Sequence, residues 1–137
     1  MLYIATECSR KEFSMRTEKF ELVLGTVPGY FHNNEFKSEK TFGMKLQEVQ
    51  AGVFDDTGLY VSIVARPAKV SYHSVWGCPV GGEDVFLITG TRNPEFAQDK
   101  EAYRKTVELL VKRLMGVFHQ STATLEWQEV DLSYFKR

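Results

Sequence analysis

Val85-Phe86-Leu87-Ile88-Thr89-Gly90-Thr91-Arg92-Asn93-Pro94 is the stretch whose reading decides the fold. Its apolar run has the length and composition of a buried strand, and Asn93-Pro94 supplies an N-cap and a favoured first helical residue. Beyond it, Tyr103, Val107, Leu110, Leu114 and Phe118 recur at helical spacing, while Arg104, Lys105, Glu108 and Lys112 fall on the opposite face. Glu101 precedes Lys105 by four positions, as Glu108 precedes Lys112, the favourable order for exposed helix pairs. From Thr122 to Tyr134 the pattern changes to a strand, with Ala123, Leu125 and Trp127 alternating with Thr124, Glu126 and Gln128. A strand, a helix and a second strand place the chain in the α+β class.

Working outward towards the N-terminus, Leu2 to Ala5 reads as a first strand. Ser9 and Glu12 have the spacing of a capping box, and Phe13, Phe20 and Leu24 share one helical face that Gly25 can end, so a helix is expected there. Phe20 to Leu24 is equally compatible with a strand. Tyr30 to Glu39 shows no period. Met44 to Phe54 is expected to be extended, Asp55-Asp56-Thr57-Gly58 to turn, and Leu59 to Ala65 to return as the second arm of a hairpin. Ala68 to Asp84, with Trp76-Gly77-Cys78-Pro79 and Gly81-Gly82, reads as a long loop, a kind of segment more often functional or mobile than neutral. This order predicts a ferredoxin-like two-layer sandwich. A mainly antiparallel sheet would carry two helices on one face, in a single domain over residues 1–137.

The chain has 137 residues, enough for a core without disulfides or metal. Seventeen basic residues stand against 18 acidic ones, so no global field draws in nucleic acid or an anionic membrane. The apolar N-terminus is too short for a secretion signal, and no stretch reaches the ~20 apolar residues of a membrane helix. Cys8 and Cys78 are widely separated and suggest a reducing compartment, so a cytoplasmic location is expected. His32, His73 and His119 are isolated, which argues against a metal site, and no nucleotide-loop pattern suggests a cofactor.

Two constellations could carry function. Tyr72, His73, Trp76 and Cys78 lie in the glycine-rich loop, where His73 could activate the Cys78 thiol for hydrolysis or isomerisation. Thr89 to Asn93 forms a strand-to-helix junction, where Arg92 and free backbone donors would suit an anion. Because loop aromatics are plentiful and no coherent catalytic set stands out, the leading expectation is a non-catalytic binding module. It would hold a small anionic ligand or a protein partner through Arg92, Tyr72, His73, Trp76 and Cys78, and would associate as a homodimer. The Cys78/His73 enzyme is the alternative. Phe118-His119-Gln120-Ser121-Thr122-Ala123 resembles a junction in small bacterial and phage proteins, a resemblance that implies no activity.

Overall fold

The computed structural model describes residues 10–25 and 39–137. Its elements run β1 (Arg10–Gly25), α1 (Glu39–Thr57), β2 (Val64–Val70), β3 (Glu83–Thr91), α2 (Lys100–Val117) and β4 (Thr124–Lys136). The four strands form one sheet in the order β2-β3-β1-β4, with every neighbouring pair antiparallel. Both helices contribute to a single apolar cluster with the sheet, so the expected ferredoxin-like sandwich is the observed one. The strand expected at Leu2 to Ala5, Cys8, and the aromatic stretch from Tyr30 to Phe36 lie outside the described residues.

Several elements differ from expectation within that architecture. The segment read as the first helix is β1, the central strand. Phe20, Leu22 and Leu24 are fully buried and alternate with the half-buried Lys19, Glu21 and Val23. Pairing on both sides, to Ile88 and to Leu125 at Leu22, rewards that two-residue period, which here outweighs the sparse helical one.

The segment read as extended is α1. Phe42, Leu46, Val49 and Val53 recur at helical spacing and are buried, with Phe42 stacked on Phe86 at 3.7 Å between ring centroids. Gly43 and Gly52 weaken the helical signal in the sequence. Asp55-Asp56-Thr57-Gly58 is consequently the end of a helix. The Gly58 N–H donates to the Phe54 carbonyl at 2.8 Å, with Gly58 in the left-handed region at φ 77°. Asp56 then pairs with Arg113 of α2.

The expected hairpin arm at Leu59 to Ala65 is displaced to Val64–Val70, because the chain needs residues 59–63 to return from α1 to the sheet. Arg66-Pro67 lies inside β2 and does not close it. Pro67 is tolerated because β2 is an edge strand. Likewise α2 begins later than Asn93-Pro94. Asn93 caps a separate turn through its Oδ1, which accepts from Glu95 N–H at 3.0 Å. The helix N-cap is Asp99, whose Oδ1 accepts from Glu101 and Ala102 N–H at 3.0 and 3.2 Å.

Candidate functional site

The register of β2 and β3 brings Val70 opposite Glu83 at the end of their hairpin. Side chains two residues apart on a strand share a face, so Tyr72 continues the line of Val70 and reaches Glu83. Its hydroxyl donates to Glu83 Oε1 at 2.8 Å. That hydrogen bond, followed by desolvation and the nearby negative charge, holds the Tyr72 phenol above its ordinary pKa, so it remains a donor. The pair forms one wall of a cleft of about 370 Å³, within the ~300–1,000 Å³ range of small-molecule sites. Val23, Gly25 and Val85 form its floor, and Gln120, Thr122 and Thr124 the opposite side. Among the described residues Glu83 is the only charged side chain in this lining. A second, more open depression of about 540 Å³ beside α1 is lined by Met44, Gln50 and Tyr60, among others, and has no carboxylate or basic group among the described residues.

The remaining loop residues stand beside the cleft and do not line it. His73 Nδ1 accepts from Val75 N–H at 3.0 Å and caps the short 3-10 turn Ser74–Trp76. Trp76 is 77% exposed. The Cys78 sulfur accepts from Tyr72 N–H at 3.5 Å and approaches the Val70 and Pro79 carbonyls, so its hydrogen bonds and those of His73 go to different partners. The thiol–imidazole pair of the alternative reading is not formed; the turn geometry uses His73 and the strand ends hold Cys78.

Arg92 lies at the other end of the nine-residue β3, about 30 Å from Glu83 at ~3.3 Å per strand residue. It is buried. Its Nε donates to Glu18 Oε1 at 2.6 Å and its Nη1 to the Ala97 carbonyl at 2.9 Å. The expected convergence of Arg92 with the 68–84 loop is therefore absent, because the guanidinium is enclosed by partners inside the fold. Gly25 and Gln120 carry no functional signal in the sequence, and Glu83 stands there only as a carboxylate following the loop. The signal for Glu83 was its position at the start of a strand following a glycine pair, which topology alone turns towards Tyr72.

The sequence model of the SAM lyase family matches residues 15–136. This chain belongs to the SAM lyase family. Two solved structures of a phage SAM lyase share its fold. One, in the apo state, has a TM-score of 0.54 and 16% identity, covering 87% of this chain and 89% of that one. The other, in complex with S-methyl-5'-thioadenosine, has a TM-score of 0.53 and 14% identity, covering 86% and 90%. No curated protein matches the chain. Membership in an enzyme family overturns the expectation of a non-catalytic binding module and gives the chain a named activity class in place of an unassigned role. Among the described residues no helix is long and apolar enough to cross a membrane, and no cluster of His, Cys, Asp and Glu could hold a metal ion.

Proposed function

We propose that this chain cleaves S-adenosylmethionine in the Tyr72–Glu83 cleft and releases S-methyl-5'-thioadenosine. The match to the SAM lyase family across residues 15–136 carries the reading, and the acidic cleft suits the substrate it implies. S-adenosylmethionine has a positive sulfonium and a positive ammonium against one carboxylate, so its net charge is positive. The ligand class thus moves from the anion expected in the sequence to a cation with one anionic end.

The chemistry needs little from the protein. When the bond between sulfur and the γ carbon of the amino-acid chain breaks, its electron pair goes to sulfur and leaves a neutral thioether. The substrate's own carboxylate closes on the γ carbon to give a five-membered lactone, with no water added and no proton moved. Holding carboxylate and γ carbon in line is then the main catalytic effect, and intramolecular alignment of this kind is worth effective molarities of about 10⁵–10⁸ M. Glu83 supplies the negative field that selects a cationic substrate, and Tyr72 holds that carboxylate in one orientation.

Incubation of the purified chain with S-adenosylmethionine, followed by chromatography, should yield S-methyl-5'-thioadenosine and the lactone in equal amounts. Glu83→Gln should lower kcat/KM by about 100-fold, an ordinary loss for a charged contact in a site. Formation of S-adenosylhomocysteine, or no consumption by the wild-type chain, would refute the reading. A cytoplasmic location and a homodimer remain part of the proposal. The sheet face turned away from the helices carries the half-buried Leu87, outside the cleft lining and available for a second copy, and sedimentation would reveal the association.

A further inference from the structure

We propose that Gly25 acts as the seat for Gln120, so that the Gln120 amide oxygen and the Glu83 carboxylate form an acceptor pair for the α-ammonium group of the substrate. This rests on the reading of the cleft as the S-adenosylmethionine site and names the residues that tell substrate from product.

Gly25 ends β1 opposite Val85 and is not among the glycines with positive φ, so its backbone does not require glycine. The space in front of it does. A Cβ at this position would run into Gln120 Oε1, lie 3.1 Å from Gln120 Cδ and sit 3.4 Å from Glu83 Oε2. The amide and the carboxylate therefore both crowd the space in front of the bare strand that a side chain at Gly25 would fill.

Each is fixed from behind. Glu83 receives the Tyr72 hydroxyl on Oε1, which leaves Oε2 on the side of Gly25. Gln120 donates from Nε2 to the Phe118 carbonyl at 2.9 Å, and its backbone N–H donates to the Met115 carbonyl at 2.9 Å. The preceding His119 is held in the left-handed region at φ 55°, which turns the chain out of α2 and points Gln120 at the cleft.

Two acceptor oxygens, one of them charged, suit a donor-rich cation and repel an anion. Of the two cations on the substrate, the ammonium is the one they serve. Sulfonium charge disappears as the carbon–sulfur bond breaks, so acceptors aimed at sulfur would favour the ground state over the transition state. The ammonium keeps its charge throughout. S-methyl-5'-thioadenosine has no ammonium and loses this contact, which eases its release.

The test uses steady-state kinetics of the full chain with S-adenosylmethionine, and inhibition by S-adenosylhomocysteine and by S-methyl-5'-thioadenosine. Gln120→Ala and Gly25→Ala should each raise KM for the substrate by about tenfold, near the lower end of a charged hydrogen bond's worth. Both should weaken inhibition by S-adenosylhomocysteine, which retains the ammonium, to a similar extent, and leave inhibition by S-methyl-5'-thioadenosine unchanged. Gln120→Glu should retain the substrate KM. If S-methyl-5'-thioadenosine inhibition weakens in parallel, the residues merely shape the cleft and the proposal fails. Unchanged KM in both alanine variants also overturns it, whereas an inactive wild-type chain would overturn the reading of the cleft itself.

Discussion

Replacing Arg92 by leucine separates two roles that its sequence position makes equally attractive. In the structure, its side chain and that of Glu18 are only 8% and 10% exposed. The guanidinium meets both Glu18 oxygens, at 2.6 and 3.4 Å, and reaches the Ala97 and Gln98 carbonyls at 2.9 and 3.3 Å. Leucine removes all four contacts and leaves a carboxylate inside the fold without its counter-charge. Breaking a buried pair from one side costs about 3–5 kcal/mol. For a chain of this length that is a fall in Tm of roughly 10–20 °C. Substrate cleavage measured well below the new Tm should be unchanged, because the cleft is at the other end of β3. Replacing Glu18 and Arg92 together with leucines should recover much of the loss, since the stranded charge goes with its partner. Differential scanning calorimetry and initial rates read the two effects separately. An Arg92→Leu variant that keeps its Tm and loses substrate binding would refute the structural assignment and restore Arg92 as a ligand residue.

Three further outcomes are expected. Tyr103 is 3% exposed and its hydroxyl has no hydrogen-bond partner among the described residues, so Tyr103→Phe should stabilise the fold by about 1 kcal/mol in denaturant titrations. Burial also raises the Tyr103 phenol above its ordinary value of 10.0. Above that pH the unfolded chain loses the proton while the folded chain keeps it, so stability falls with rising pH, and the Phe variant should show a shallower alkaline decline. At Gly90 a Cβ would lie 2.5 Å from Phe20 Cε1 and 2.9 Å from the Ser62 carbonyl oxygen. Gly90→Ala should therefore cost about 1–3 kcal/mol by thermal denaturation, and a neutral result would contradict the packing of β1 on β3. Tyr72→Phe removes the donor to Glu83 from an exposed position, so kcat/KM should drop about tenfold while Tm stays within a few degrees.

The C-terminal half was legible because two clear periods coincide with the tertiary environment. Tyr103, Val107, Leu110 and Leu114 form a helical stripe that becomes the buried face of α2, and Leu125 and Trp127 alternate as β4 requires. In the first half, local pattern and tertiary context diverge. Phe20 to Leu24 satisfies a strand only when paired on both sides, and α1 hides its buried stripe behind two glycines and a short helix-ending acidic turn. Of the candidate site residues, Tyr72 stands in the cleft, His73, Trp76 and Cys78 flank it, and Arg92 is remote. Glu83, Gly25 and Gln120 were not legible because their meeting depends on strand register and on space, neither of which has a sequence motif.

Register is also what makes the Tyr72–Glu83 pair possible. β2 and β3 pair residue for residue from Val64 opposite Thr89 to Val70 opposite Glu83, without a bulge. Side chains alternate between faces, so Tyr72 reaches the face of Glu83 only because it lies an even number of residues beyond Val70. A slip of β2 by one residue would turn Tyr72 towards the helices and Ala65, which packs against the core opposite Ile88, away from them. Burial of Phe86 against Phe42, and of Ile88 in the core, therefore fixes the face of β3 on which Glu83 stands, and Ala65 packed against the same core fixes the face of β2 that Tyr72 continues. The core does more than support this cleft: through the two-residue period it decides which side chains face it.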